Sequence, residues 1–222
     1  MHIIGIEGRY GSGKTTTAVV KAHQWAQMTG AKLFANFPLR GAYLFESFED
    51  WYRVADAHGS IMIFDEAVKN YDGRNWAKQG QIEQTHVMNY VRKMNSLMIF
   101  ILPDYNDLES RIRNKTDILI YCKRNKGGGI KNFVFDQQMR DKGQDRGRLI
   151  NSWYLPKTSL QKIWDLKLFN THSMIHSFPT PPKEKSDAFF RELDKRHLAA
   201  LQRNYGKSYN QIDILSKDDL FI

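Results

Sequence analysis

An α/β protein with three layers and a mainly parallel central sheet is predicted by three observations. Short apolar runs of strand length recur at residues 2–7, 31–37, 61–64, 97–102 and 117–122, with amphipathic stretches among them. The first run leads into Gly8-Arg9-Tyr10-Gly11-Ser12-Gly13-Lys14-Thr15, which fits G-x-x-x-x-G-K-[ST], the Walker A phosphate loop, and a helix pattern follows at once. The third run ends in Asp65-Glu66, an apolar strand delivering two acids at its carboxyl end, as in a Walker B motif. Together these predict the P-loop NTPase fold.

The residue types of the loop follow from phosphate chemistry. Gly8, Gly11 and Gly13 let the backbone turn tightly and bring its N–H groups against phosphate oxygens. Lys14 places a point charge on the β- and γ-phosphates, and the Thr15 hydroxyl can hold Mg²⁺. The next helix directs its positive end at the same anions. ATP and Mg²⁺ are therefore the expected cofactors, with nucleotide contacts from Gly8, Arg9, Tyr10, Gly11, Ser12, Gly13, Lys14, Thr15 and Thr16. A dinucleotide fingerprint fits poorly, because Gly11-Ser12-Gly13 lacks the third glycine.

Each element then follows in order. The helix after the loop covers 16–28 and stops at Gly30; a strand over 31–37 closes at Pro38, and 38–46 reads as a loop. Ser47-Phe48-Glu49-Asp50 resembles a capping box and starts a helix to Ala57, ended by His58-Gly59. Next comes the strand that carries Asp65 and Glu66. Strand neighbours point to opposite sides, so the two acids are expected to do different work: Asp65 on the Mg²⁺ shell, Glu66 polarising the attacking water. A strand–helix unit lies between the two motifs, which suggests the additional-strand class of P-loop ATPase. Residues 69–80 are polar, basic and aromatic, with a turn at Asp72-Gly73. A helix over 81–95 turns Ile82, Val87, Tyr90, Val91 and Met94 inward, followed by a core strand over 97–102, a short helix over 107–113 and a core strand over 117–122.

The texture changes after Cys122. A basic, glycine-rich turn over 123–129 leads into a hairpin of strands at 130–137 and 149–155, and residues 123–148 hold eight basic side chains against three acidic ones. A helix covers 158–165, Pro179, Pro181 and Pro182 mark a linker, and 185–205 reads as an exposed helix with a narrow stripe of Phe189, Leu193, Leu198 and Leu201. The organisation expected is an ATPase domain over 1–156 that includes the basic β-hairpin module 123–156, an extension and linker over 157–182, and a C-terminal helix and tail over 183–222.

Bulk properties agree. The 222 residues suffice for one α/β domain with an appendage, and 41% hydrophobic content supplies a core. The lone Cys122 excludes an intrachain disulfide, suits a reducing cytosol and reads as a small buried residue. Neither a leader peptide nor an apolar run of membrane length is evident, so a protein that does not span a membrane is expected. The net charge of +9 favours a polyanionic partner.

These parts resemble the genome-packaging ATPases of tailless, membrane-containing viruses, within the FtsK–HerA superfamily, and the related zonula occludens toxin-like proteins of filamentous phages. The resemblance is carried by the 8–15 loop, the Asn36-Phe37-Pro38 turn, the Asp65-Glu66-Ala67 strand end, Arg92-Lys93 ahead of an apolar strand, Asp107-Leu-Glu-Ser-Arg-Ile-Arg113 followed by Lys-Thr-Asp, and Asn151-Ser-Trp-Tyr-Leu-Pro156. It implies an ATPase that translocates double-stranded DNA into a preformed capsid. It also implies a homo-oligomeric ring such as a hexamer, contact with capsid or membrane-vertex proteins, and a place in the host cytoplasm or at the packaging vertex. In such rings a neighbour supplies an arginine finger, for which Arg92, Arg111 and Arg113 are candidates. The family ends the strand at 97–102 with a glutamine that senses the γ-phosphate; here the polar residue in reach is Asp104, after Pro103. The filamentous-phage relatives carry a membrane-spanning segment, whose lack here favours the packaging branch.

DNA contact would go to phosphates, through Lys69, Arg74, Trp76 and Lys78 and through Lys123, Arg124 and Lys126. Two other readings compete. An ATPase for virion assembly or export would share the site without gripping DNA. A nucleotide kinase would use 123–148 as a lid, but adjacent Asp65 and Glu66 suit water activation better than transfer to an alcohol.

Overall fold

Eight strands form a single sheet in the order β3-β2-β4-β5-β1-β6-β7-β8. The computed structural model describes residues 2–66, 80–108, 110–141, 144, 146–170, 173, 175–176 and 180–205. The strands are β1 (Ile3–Glu7), β2 (Lys32–Ala35), β3 (Ala42–Leu44), β4 (Ser60–Phe64), β5 (Leu97–Leu102), β6 (Ile118–Arg124), β7 (Ile130–Asp136) and β8 (Arg148–Leu155). Pairing is parallel from β3 through β6 and antiparallel for β6–β7 and β7–β8. The helices are α1 (Lys14–Thr29), α2 (Asp50–Ala57), α3 (Gly80–Lys93), α4 (Ser110–Arg113), α5 (Lys157–Asp165) and α6 (Ser186–Tyr205).

Strand β5 lies between β1, which leads into the phosphate loop, and β4, which leads into Asp65. This inserted strand gives the sheet the additional-strand arrangement, whereas the strand that lies between the two motifs in sequence, β2, sits on the other side of β4. Both β1 and β4 are buried along their whole length, and alternate residues feed opposite faces. Ile3, Met62, Met98 and Phe100 join Trp51 and Val54 of α2, Val87 and Val91 of α3, and Phe189 and Leu193 of α6. Ile4, Ile6, Ile61, Ile63, Ile99 and Ile101 face Ala18, Val19 and Ala22 of α1. Helices on both faces make the three layers.

Two expectations need correction. The segment read as a loop over 38–46 contains β3, a parallel edge strand of three residues, too short for a periodic pattern to show. Phe45, just after it, is fully buried, with ring centroids 4.9 Å from Trp51 and 5.5 Å from Phe64. The helix read as exposed over 185–205 packs on α2 and buries Phe189, Leu193, His197 and Ala200. That row follows the i, i+4, i+8, i+11 helical spacing. Leu198, expected within the stripe, falls on the outer face at 38% exposure. Arg196 fastens the pair of helices, donating to Asp56 on α2 at 2.7 Å and to Glu192 at 2.8 Å.

The hairpin is pinned to the end of β1 by a buried carboxylate. Glu7 accepts from the Tyr105 N–H at 2.9 Å and from Arg146, in the β7–β8 turn, at 2.7 Å. The Arg146 guanidinium also lies 4.1 Å from the centroid of the Tyr121 ring. Removing the arginine leaves a buried anion without its cation. Arg146→Ala is therefore expected to lower the unfolding free energy by about 2–4 kcal/mol. In denaturant titrations, the Glu7→Gln, Arg146→Ala double variant should lose less than the sum of the two singles; strict additivity would mean the pair is not coupled.

Candidate active site

The phosphate loop owes its shape to glycines that no other residue fits. Gly8 has φ of 149°, and a Cβ there would stand 2.5 Å from the Cys122 carbonyl oxygen. Gly13 has φ of 91°, caps α1, and faces the Ile130 side chain so closely that a methyl group would overlap it. The loop thus rests on β6 and on the first residue of β7. Cys122 is buried, as expected, and burial pushes its thiol up to about 12.

Lys14 donates to the carbonyls of Gly8 at 2.8 Å and Arg9 at 3.1 Å. Burial lowers the pKa of its ammonium, while the charge of Asp65 raises it. The Thr15 hydroxyl donates to Asp65 Oδ2 at 2.8 Å, joining two motifs fifty residues apart. A hydroxyl and a carboxylate converging beside a phosphate loop are the hard oxygen donors that Mg²⁺ takes together with phosphate oxygens, so these residues fit the ion. Burial raises the Asp65 carboxyl above its ordinary value, and the bonds from Thr15 and from the Glu66 N–H pull it back.

Asp65 and Glu66 stand beyond the end of β4, and this changes the premise drawn from strand alternation. Glu66 has φ of 49°, its N–H donates to Asp65 Oδ1 at 2.8 Å, and both acids line the same cleft. A left-handed turn, rather than opposite strand faces, sets their relation.

Asn36, 1% exposed, fixes this turn. Its Oδ1 accepts from the Asp65 N–H at 2.8 Å; its Nδ2 donates to the Asp65 carbonyl at 3.1 Å and to the His176 carbonyl at 2.9 Å. The sequence marks Asn36 only as part of a turn. Its clamping role depends on the parallel pairing of β2 with β4, which places the two strand ends side by side.

The cleft has a volume of about 720 Å³. It is lined by Tyr10, Gly11, Gly13, Lys14, Thr15 and Thr16 of the loop and α1, by Asp65 and Glu66, and by Trp164, Phe169 and Ile175. Of the remaining expected loop contacts, Arg9 is exposed and Ser12 is buried, its hydroxyl packed toward Gly8. Arg124, read as a DNA contact, also lines the cleft and donates to the Gly11 carbonyl at 3.4 Å. Lys123 and Lys126 are exposed beside the β6–β7 turn. Lys69, Arg74, Trp76 and Lys78 lie outside the described residues. Asp104 accepts from the Asn106 N–H at 2.8 Å and starts the next turn, whereas Asp107 is the acid that reaches the cleft wall. Arg92 and Arg111 are exposed, and Arg113 donates to Asn106 at 2.9 Å.

The model of the Zonular occludens toxin (Zot) family matches residues 38–161. Uncharacterized protein B-251 of Sulfolobus spindle-shape virus 1 is 31% identical over 126 residues, which cover 54% of this chain and 50% of that protein. The chain thus spans about half the length of that relative. The crystal structure of the N-terminal domain of zonular occludens toxin from Neisseria meningitidis superposes with a TM-score of 0.53 at 17% identity, covering 76% of this chain and 98% of that one. The genome packaging NTPase B204 from Sulfolobus turreted icosahedral virus 2 gives a TM-score of 0.44 at 13% identity, covering 69% and 96%. Among the described residues, no helix is long and apolar enough to cross a membrane.

The raised Asp65 pKa has a consequence for stability. Above the ordinary value of 3.8 the native state binds more protons than the unfolded chain, so this group's contribution to the unfolding free energy falls as pH rises through the native pKa. Asn at this position can accept from the Glu66 N–H and donate to Thr15. Asp65→Asn is expected to melt above the parent protein at pH 7 in magnesium-free buffer, with the difference shrinking toward pH 4. An equal or lower melting temperature at pH 7 would show that burial does not strain this carboxylate.

Proposed function

This chain belongs to the Zonular occludens toxin (Zot) family, and from that membership and its site we propose that it is a viral P-loop ATPase that moves double-stranded DNA into a preformed capsid. The observation that carries the ATPase part is the 2.8 Å bond between Thr15 and Asp65, with Glu66 beside it in one cleft. In this reading the N–H groups of residues 8–16 cradle the phosphates, and Lys14 exchanges the Gly8 and Arg9 carbonyls for phosphate oxygens. Thr15 and Asp65 hold Mg²⁺, which supplies charge neutralisation on the β- and γ-phosphates when bound. Glu66 orients the attacking water and accepts its proton.

The site has one role to fill from outside the chain. Hydrolysis in such sites is accelerated by an arginine supplied from a neighbour, worth about 10³–10⁵ in rate, and a homo-oligomeric ring would bring Arg92, Arg111 or Arg113 to it. Of these, Arg113 would have to leave Asn106. The basic turn with Lys123 and Lys126, and the segment with Lys69, Arg74, Trp76 and Lys78, are the proposed DNA-facing groups. The net charge of +9 supports a polyanion as partner. Family membership favours a second reading, an ATPase of virion assembly or export that contacts capsid or membrane proteins without DNA.

Two variants test the hydrolytic site that both readings share, and DNA stimulation separates the readings. Glu66→Gln is expected to keep ATP affinity while turnover falls by about 10²–10⁴, and Lys14→Ala to lose hydrolysis; persistent turnover in Glu66→Gln would remove Glu66 as the base. Double-stranded DNA at low salt should raise the ATPase rate of the assembled protein. An unchanged rate would favour assembly or export.

A further inference from the structure

We propose that Trp164, Phe169 and Ile175 form the nucleobase wall of the cleft, with the base held by stacking on Trp164 and Phe169. This rests on the reading of the cleft as a nucleoside triphosphate site, and assigns its other half. The lining of the cleft is mixed: cationic, hydroxyl and carboxylate groups come from Lys14, Thr15, Asp65 and Glu66, and beside the apolar Tyr10, Ile101 and Pro103 the chain from α5 onward adds Trp164, Phe169 and Ile175. A bound triphosphate tail at the first group directs the flat, apolar end of the same molecule toward the second.

The wall is built rather than loose. Phe169 forms an antiparallel bridge with Leu39. Its ring meets the buried Phe37 ring edge-on, with centroids 6.3 Å apart at 71°. The Arg40 N–H donates to the Leu168 carbonyl at 2.8 Å, and the His176 N–H donates to the Asn36 carbonyl at 2.8 Å. Upstream, the fully buried Leu160 anchors α5, yet Trp164 on the same helix is left 44% exposed. A large indole held at the rim of a phosphate site and not consumed by core packing has the surface a base needs. Asn36 joins the two halves of the site, because the same side-chain amide that holds His176 also holds the backbone of Asp65.

The test compares two ligands on the full-length protein, each with magnesium: ATP, which has a base, and inorganic tripolyphosphate, which does not. Stacking on one aromatic side chain is worth about 1–3 kcal/mol by alanine substitution, or about 5- to 150-fold in affinity. Trp164→Ala and Phe169→Ala should each weaken ATP binding within that range and leave tripolyphosphate binding as in the parent, and Trp164→Phe should restore most of the ATP affinity. Unchanged ATP affinity in both alanine variants overturns the assignment. So does a parallel loss of both ligands, which would mean that the residues act by propping the phosphate loop. Lys14→Ala is the separate control on the underlying reading and should lose both ligands; retention of both would remove the triphosphate site itself, independently of what Trp164 does.

Discussion

The hydrogen bond between Thr15 and Asp65 is the contact on which the site depends, because it joins the start of α1 to the end of β4 across an intervening strand. The residues that α1 buries after Thr15 are Thr16, Thr17, Ala18, Val19 and Ala22, all small. The helix packs on β4 and β5, and its first turn meets Asp65. A bulky side chain at Ala18 or Ala22, both with no exposed surface, would lift the helix and separate the two oxygens.

The electrostatics of the site follow from the same burial. Asp65 and Lys14 are each disfavoured in their charged forms by desolvation, and each favours the charge of the other. A phosphate group and a divalent ion fit this arrangement because they add the opposite charges that both side chains lack. Asn36 holds the Asp65 backbone from both its N–H and its carbonyl, so the carboxylate keeps its direction while its charge environment changes. The direction of Asp65 is thus set from Asn36, just past β2, as much as from β4.

Much of this was legible from the residues. The 8–15 loop has a spacing that few other structures use, and β1, β4 and β5 read correctly because they are buried on both faces and therefore apolar throughout. What stayed hidden depends on distance in space. Strand β3 is three residues long and carries no period. Arg124 reads as one more member of a basic turn, yet β6 continues two residues past Cys122 and delivers it to the Gly11 carbonyl. Glu66 reads as an ordinary strand residue, and nothing in Asp-Glu announces the left-handed turn that puts both acids on one side. The apolar stripe on α6 reads from the sequence as Phe189, Leu193, Leu198 and Leu201, whereas His197, which no hydrophobic pattern marks, takes the inward place beside Phe189 and Leu193. Phe169 and Trp164 have no pattern to mark them, because the chain that carries them returns to the site through contacts distant in sequence, with Leu39, Arg40 and Asn36.

The carboxylate of Glu7 has a mechanical meaning beyond its part in holding the fold. It sits one residue before Gly8 and is gripped on one oxygen by the β5 exit at Tyr105 and on the other by Arg146. A tilt of the β7–β8 turn must therefore either snap that ion pair or drag the root of the phosphate loop with it. The hairpin and the first residue of the loop are thereby yoked through one side chain, so displacement of either is transmitted to the other.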